Sequence, residues 1–376
     1  MKKFLALLLV FSMLLTIGIA SFADEGEKKL KIGYTFWDLP MAGIVIDGAN
    51  QIKLAAEALG VEVEFNPSMD LTAEGIIAAA ENFAASGVDG LIVVNFSDAS
   101  MINIGKACAE NGVPFIQATR TIDDPDVEAV LLQNPYYIGR IHEDEYSAAY
   151  ALAEKLAATG AKNVVMFSSY HGDTAYEARA QAYRDACNDF GMNLLYEQWD
   201  VADDATATET AVNVFNAYPE CDGILTVKCN YVPYIITAEE TVGIDGYLPL
   251  VGVDFDPSLG ENIEKGQVTA VAGGHHADAT LALITLVNAI NGAYDPETYP
   301  IDILNNMMTI EGAEEYDNYN KYCIGYDEDF YNLQVLNYDE IRDLCVVYNP
   351  DTTIDDIANM AGSISIANVM ERHGNS

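Results

Sequence analysis

The chain has few positive charges. Its 376 residues include 18 Lys and Arg against 58 Asp and Glu, which gives a formal net charge of −40 at pH 7. A field of this sign repels the phosphates of nucleic acids and the headgroups of anionic lipids. We therefore expect neither nucleic acid nor a membrane surface as a partner.

Long apolar runs are absent after the first 23 residues. Within those residues, Lys2 and Lys3 precede an apolar run, and Ser21-Phe22-Ala23 has the small-x-small pattern of a cleavage site. We predict a signal peptide at 1–23 rather than an uncleaved anchor helix, because no positive flank follows Ala23. No later segment is long enough to span a bilayer, so no stable membrane insertion is expected after cleavage.

Cysteines are few, and their spacing matches neither a metal knuckle nor a C-x-x-C redox pair. The first is Cys108, so we expect no amino-terminal lipid anchor and a mature protein that is free in the periplasm or secreted. Cys108 and Cys187 lie on apolar faces of predicted helices, where a buried thiol is expected. Cys323 and Cys345 are the one candidate disulfide, and the sequence leaves their pairing open.

Motifs of catalysis and cofactor binding are also missing. The chain has no GxGxxG after a strand, no GxxxxGK[ST] and no GxSxG, and none of its five histidines stands in an HExxH frame. Its acidic clusters lack the alternation and the glycine of a calcium loop. We predict that the protein is not an enzyme, and that it has no catalytic residue, no metal and no cofactor.

What is present is an α/β pattern in two series. Near-continuous apolar strands alternate with segments of helical period, which is typical of parallel sheets covered on both faces. Strands are predicted at 29–36, 61–66, 90–95, 114–119 and 128–133, and again at 163–168, 192–198, 223–228, 248–254 and 268–273. The fold class is therefore α/β, with two doubly wound, Rossmann-like lobes.

The last 75 or so residues break this rhythm. The segment 298–312 is predicted to add a closing strand to one sheet, and a helix is predicted near 353–362. The stretch between them is rich in tyrosine and acid and has no clear period. We interpret it as an irregular, ordered extension, because its aromatic residues argue against disorder.

Polar side chains follow the predicted strands at the edge where open parallel sheets bind ligands. Tyr170 and His171 add a ring and an imidazole at one strand end. The other candidate residues that follow strands, or lie on the helix after one, are Trp37, Asp38, Asn95, Arg120, Arg179, Lys228, Asp254 and His275.

In order and spacing, residues 30 to 312 resemble the periplasmic binding proteins of the ribose and galactose type, the sugar-binding components of ABC importers. The resemblance rests on KIGYTF with the later Asp47-Gly48-Ala49, VDGLIVVNFSD, NGVPFIQATR, the helix around Arg179 and LPLVGVD. It implies the type 1 fold, in which two lobes are joined by a three-crossover hinge. An amino-terminal lobe would hold 30–132 plus 276–302, and a carboxy-terminal lobe 134–274 plus 303–376. Crossovers would then lie at Gln133-Asn134 and Gly274-His275.

The resemblance also implies roles for the candidate residues. Asn95, Arg120, Arg179 and Asp254 fall where such proteins hydrogen-bond sugar hydroxyls. Trp37 falls in the loop that supplies an aromatic ring. The chain departs from the ribose pattern at Thr119, where an Asp is usual, at Lys228, where an Asn is usual, and at Gly274 or His275, where a Gln is usual. These departures leave a sugar acid or a nucleoside open as the ligand.

The function implied is capture of a small sugar-like ligand by hinge closure, with delivery to an ABC transporter permease by a monomer. A sensor or chemoreceptor accessory that feeds no importer is the alternative. A transcription regulator on the same two lobes would need a basic helix-turn-helix at its start, where this chain has an export signal.

Overall fold

The computed structural model describes residues 29–36, 44–68, 70, 72–202, 205–256, 258–325 and 333–374. The predicted signal peptide at 1–23 and the predicted site residues Trp37 and Asp38 lie outside these ranges. A short unit ends at Leu30, and Lys31–Ser376 form one compact unit. Within the described ranges, no helix combines the length and the apolar character needed to cross a membrane.

The first sheet has six strands in the order β11-β5-β4-β3-β1-β2, and all its neighbouring strands are parallel. Its strands are β1 (Lys31–Tyr34), β2 (Glu62–Phe65), β3 (Gly90–Val93), β4 (Phe115–Ala118), β5 (Tyr137–Glu143) and β11 (Ile301–Asn305). We call this sheet and its helices the first lobe.

The second sheet also has six strands, in the order β12-β10-β9-β8-β6-β7. Its strands are β6 (Asn163–Phe167), β7 (Asn193–Gln198), β8 (Gly223–Thr226), β9 (Leu250–Val253), β10 (Ala270–Gly273) and β12 (Met308–Ile310). Only β12 runs antiparallel to its neighbour. We call this sheet and its helices the second lobe.

Helices connect the strands and cover the sheets. Those of the first lobe are α1 (Ile44–Leu59), α2 (Ala73–Ser86), α3 (Asp98–Asn111), α4 (Pro125–Leu131) and α10 (Asp278–Ile290). Those of the second are α5 (Glu145–Ala158), α6 (Thr174–Phe190), α7 (Thr206–Ala217), α8 (Val232–Val242) and α9 (Leu259–Glu264). The two parallel, helix-covered sheets confirm the predicted fold class.

The cores follow from the pattern of apolar residues. Strands β3, β4, β8, β9 and β10 are buried along their whole length, as expected for parallel strands with both faces covered. Helix α10 is buried from Asp278 to Asn288, because it is apolar on nearly all sides and packs against both α1 and the first sheet.

The strand predicted at 128–133 is wrong, because residues 128–131 lie in helix α4 and residues 132–133 form a turn. Asp124 caps the helix by accepting from the backbone N–H groups of Asp126 and Val127, and Pro125 occupies its first turn. An Asp followed by Pro is a helix-start signal that the apolar run EAVLLQ concealed. The fifth strand of the first sheet is instead β5 (Tyr137–Glu143).

The position of β5 moves the first crossing between the lobes. Because β5 pairs with β4 and β11, the first lobe extends to Glu143, and the chain crosses there rather than at Gln133-Asn134. Gly139 permits the close pairing with β11: its φ is +142°, and a Cβ atom there would lie 1.9 Å from the carbonyl oxygen of Ile301. The other two crossings lie at Gly274-His275, between β10 and α10, and at Asn306-Met307, between β11 and β12.

The segment after β12 is more regular than expected. It contains α11 (Ala313–Asn318), a π-helix (Tyr319–Ile324), α12 (Tyr338–Asp343), α13 (Ile354–Ser363) and α14 (Ile366–His373). Helix α13 matches the helix predicted near 353–362, and Thr353 caps it. We call the described residues 313–325 and 333–374 the extension. None of the six cysteines, all in the described part of the chain, forms a disulfide, so Cys323 and Cys345 are separate buried thiols.

Candidate functional site

The carboxyl ends of the strands in both sheets carry the predicted site residues. Asn95 and Arg120 follow β3 and β4 of the first lobe. Lys228, Asp254 and His275 follow β8, β9 and β10 of the second.

Arg120 of the first lobe contacts the second lobe. Its Nε and Nη2 atoms both lie 3.2 Å from Oδ2 of Asp173, which precedes α6 in the second lobe. Its guanidinium carbon also lies 5.3 Å from the ring centroid of Phe96 in the first lobe and 5.8 Å from that of Tyr176 in the second. A planar cation between two rings and a carboxylate closes this part of the cleft.

Asn95 lies in a neutral hydrogen-bonded pair. Its Oδ1 accepts from Nε2 of Gln117 at 2.6 Å, and both side chains are buried. Gln117 Nε2 also donates to the carbonyl of Thr121, and Tyr137 donates its hydroxyl proton to Gln117 Oε1. These amides fix the strand ends that carry Phe96 and Arg120.

Arg179 is almost completely buried and is held by acceptors of the protein. Its Nε and Nη2 donate to the two oxygens of Glu145 at 2.6 and 2.8 Å, and its Nη1 donates to the carbonyl of Val227 at 2.8 Å. Asp254 Oδ2 lies 3.6 Å from Nη1. The guanidinium thus pairs with Glu145 at the start of α5, which faces α6.

His275 joins this network from the crossing after β10. Its Nδ1 lies 3.1 Å from Asp254 Oδ1 and its Nε2 lies 3.0 Å from Glu145 Oε1. Burial alone would lower the pKa of His275, but the carboxylates of Glu143 and Glu145 outweigh it and raise that pKa to about 10. Burial likewise opposes ionisation of Asp254, yet Arg179 and His275 hold its pKa at about 2. The site therefore contains ionised pairs that offset each other.

Two residues at this edge have strained backbones. Thr119 has φ +69° and Asp254 has φ +75°, in the left-handed region that non-glycine residues seldom adopt. Thr119 is β-branched, so its cost is the larger, and it directly precedes Arg120. Such strain persists where the surrounding structure fixes a side chain for a purpose.

Lys228 is half-buried after β8 and its ammonium lies 5.9 Å from the ring centroid of Tyr231. It thus lies at the predicted edge of the second sheet. The structure places its ammonium beside the Tyr231 ring.

The three crossings meet in a second buried cluster. Glu143 ends β5, Asp278 begins α10 and Asn305 ends β11, and Asn305 Nδ2 donates to Asp278 Oδ1 at 2.8 Å. Burial, with the neighbouring Asp278 adding to it, raises the pKa of Glu143 well above its usual range, and burial raises that of Asp278 to about 7.

Three residues near the crossings have the spacing of metal ligands. Atoms of Glu143, Glu145 and His275 lie within 4.8 Å of one another. Arg179, however, donates to both oxygens of Glu145, and its Nη2 lies 3.0 Å from His275 Nε2. A guanidinium at this point repels a metal cation, so the geometry favours an ion-pair network over a metal site.

Sequence reasoning missed Glu145, Asp173, Phe96 and Tyr176. The sequence signal for Glu145 is its position just past a strand end. It becomes visible only when β5 is placed at 137–143. Asp173 stands four residues before Glu177 in the pattern of a helix start, and it accepts from the backbone N–H groups of Ala175 and Tyr176. That Asp173 also reaches across to Arg120 depends on how the lobes close, which sequence spacing does not encode.

Two α/β lobes, three crossings between them and polar strand ends that face one another define a two-lobed binding protein. A family model described as a periplasmic binding protein domain matches residues 41–293, which is most of the chain. The chain belongs to this family, whose members are binding proteins rather than enzymes. Membership implies a location outside the cytoplasm.

Solved structures of similar fold agree with this assignment. An ABC transporter periplasmic solute binding protein from Actinobacillus succinogenes with bound D-allose is 19% identical with a TM-score of 0.67, and the match covers 77% of this chain and 100% of that one. A solute binding protein from Bacillus halodurans with bound myo-inositol is 18% identical with a TM-score of 0.65, covering 78% and 98%. A periplasmic sugar-binding protein from Pseudomonas fluorescens is 14% identical with a TM-score of 0.73, covering 90% and 99%. At these identities the likeness establishes the fold.

Proposed function

We propose that this protein captures a small sugar or sugar-like ligand outside the cytoplasm and delivers it to an ABC transporter permease. The observation that carries the proposal is the position of Arg120, which lies between Phe96 of one lobe and Tyr176 of the other while it pairs with Asp173. Aromatic faces beside a charge-assisted hydrogen-bond donor suit a molecule with an apolar C–H face and a rim of hydroxyls.

Ligand capture requires closure of the two lobes and no covalent chemistry. In an open form the two half-sites are separate, and a ligand that touches both of them selects the closed form. Asp254 and His275 offer an acceptor and a donor from the second lobe, and Asn95 and Arg120 offer amide and guanidinium groups from the first. Arg179, whose donors are bonded to Glu145 and Val227, would act by positioning Asp254 and His275.

The balance of charge supports a neutral ligand over a sugar acid. Arg120 pairs with Asp173, Arg179 with Glu145, and His275 with Asp254. Arg120, Arg179 and His275 therefore each have a carboxylate partner, and an anionic ligand would have to compete with it. Lys228 also lies near these strand ends, so the effect of Lys228→Ala on binding tests whether a carboxylate or phosphate is recognised there.

The test is a thermal-shift and calorimetric screen of the purified protein against D-allose, myo-inositol, L-arabinose, D-galacturonate and adenosine. A ligand that binds only the native state stabilises it by RT ln(1 + [L]/Kd), or about 4 kcal/mol at a thousandfold excess over Kd. We expect a neutral monosaccharide or polyol to raise the melting temperature.

Variants locate the binding. Arg120→Ala and Asp254→Ala should abolish the shift, whereas Arg140→Ala should keep it, because Arg140 pairs with Asp302 on β11 away from these strand ends. A shift with D-galacturonate or adenosine alone would keep the binding fold and contradict the neutral-sugar assignment. A sugar shift that survives both site variants would place binding elsewhere.

A further inference from the structure

The extension begins on the second lobe. It follows β12 directly, and its helix α11 packs against α9. The contact is close: a Cβ atom on Gly260 would lie 2.2 Å from Cε1 of Tyr316. The first turn of the extension is therefore seated on the second lobe through the ring of Tyr316.

Tyr319, one turn later, contacts both lobes. Its side chain is 2% exposed, and its ring lies against that of Phe255 with centroids 4.7 Å apart and planes at 70°. Phe255 directly follows Asp254 of the second lobe. The Tyr319 hydroxyl donates to Oδ2 of Asp47, 3.4 Å away on α1 of the first lobe. One buried side chain thus joins a helix of one lobe to a candidate ligand-binding strand end of the other.

The middle part of the extension contacts the first lobe. Arg342 donates from Nη1 to the carbonyl of Ala58 at the end of α1. The buried side chain of Asn288 on α10 donates to the carbonyl of Leu344 and accepts from the backbone N–H of Val346, both at 2.9 Å. The extension therefore starts on the second lobe and continues onto the first.

We propose that the extension is a fourth connection between the lobes, and that Tyr319 is a positioning residue that favours their closed arrangement. Separation of the lobes requires that Tyr319 lose its Phe255 contact or its Asp47 hydrogen bond, or that the extension detach from one lobe. The extension lies beyond the matched part of the family model, which ends at residue 293. Its effect on ligand affinity rests on the proposed function, whereas its effect on lobe separation does not.

The size of the effect follows from the groups involved. A net contribution of about 1 kcal/mol is typical for one intramolecular hydrogen bond, which corresponds to about a fivefold change in an equilibrium constant. Tyr319→Phe, which keeps the ring on Phe255, should therefore shift the closed-to-open ratio about three- to tenfold. Tyr319→Ala should shift it further, because it also removes the aromatic contact.

The experiment is hydrogen–deuterium exchange of the purified, ligand-free protein, read at 119–122 and 168–173, the segments that carry Arg120 and Asp173. Exchange in both segments should accelerate about three- to tenfold in Tyr319→Phe and in Asp47→Ala. Asp47→Asn should stay near wild type, because its amide oxygen still accepts the phenol proton. The matched control is Tyr316→Phe, which removes a hydroxyl from a tyrosine seated on one lobe only and should change neither segment.

Other outcomes would overturn the proposal. Acceleration confined to 313–324 would make Tyr319 a local packing residue, and equal acceleration in Tyr316→Phe would mean that the extension merely loosens. Double-variant additivity of Tyr319→Phe with Asp47→Ala would show that the two side chains do not act together. If no sugar binds but exchange in segments 119–122 and 168–173 accelerates as expected, the proposed function fails and the fourth connection is supported. If a sugar binds and exchange in these segments does not change, the proposed function is supported and the fourth connection fails.

Discussion

The two lobes present different chemistry at the same strand edge. In the first lobe, the ends of β3 and β4 carry a ring and buried amides, Phe96 with the Asn95–Gln117 pair, and one cation, Arg120. In the second lobe, Arg179, Asp254 and Asp173 form buried charged contacts. We call the first-lobe group of Phe96, Asn95 and Gln117 the neutral wall of the cleft, and the second-lobe group of Arg179, Asp254 and Asp173 the charged wall. The comparison indicates that mostly uncharged side chains line one side of the cleft and ion pairs stabilise the other.

The largest loss of unfolding free energy is expected from removal of the Arg179 guanidinium in the second lobe. Arg179→Ala leaves Glu145 and Asp254 buried without their guanidinium, and the loss of one partner of a buried ion pair typically costs about 3–5 kcal/mol. The free energy of unfolding in urea measures this loss. Arg184→Ala on the same helix is the control, since Arg184 and Glu197 form a partly exposed pair that should contribute about 1 kcal/mol or less. Equal losses would contradict the buried role of Arg179.

A smaller effect is expected from the neutral wall. Asn95→Ala removes the acceptor of Gln117 Nε2, and an unsatisfied buried donor costs about 1–3 kcal/mol. Because Gln117 also donates to Thr121, we expect the lower part of that range. Urea unfolding again gives the value, with the exposed Asn111→Ala in the same lobe as the control. A loss as large as that of Arg179→Ala would remove the distinction between the walls.

The smallest expected effect, counted per pH unit, is the pH dependence of the free energy of unfolding that arises from the buried groups at the crossings. The pKa of Asp278 is raised from its ordinary 3.8 to about 7, so between these values the native state keeps a proton that the unfolded chain has lost. Stability should therefore fall as pH rises from about 4 to 7, by at most about 1.4 kcal/mol per pH unit for one proton. His275, with a pKa raised to about 10, extends the fall above pH 6.5.

Asp254 acts in the opposite direction but in a different range. Its pKa is lowered to about 2, so its contribution is present above about pH 4 and lost only as the pH falls further. Urea unfolding of wild type and Asp278→Asn at pH 5 and pH 6.5, below the range in which His275 contributes, measures the Asp278 contribution. The slope should flatten in Asp278→Asn, and a slope unchanged by this substitution would assign the dependence to other groups.

The sequence was sufficient for the class of fold but not for the partners within the site. Apolar strands with helical segments between them predicted two parallel sheets, because period and burial are local properties. The pairing of Arg120 with Asp173, 53 positions away, depends on lobe closure, which no local pattern contains. The error at 128–133 displaced β5, and with it the recognition of Glu143 and Glu145.

The buried thiols can report the order in which the regions of the protein unfold. Cys108 lies in the first lobe, Cys187 and Cys229 in the second, and Cys323 and Cys345 in the extension, and all five are buried. Burial raises the pKa of Cys108 to about 12 and that of Cys187 to about 11, so the reactive thiolate is scarce in the native state. A thiol reagent would therefore alkylate each cysteine only when the region around it unfolds. The order in which the five labels appear would reveal whether the extension, the first lobe or the second lobe yields first.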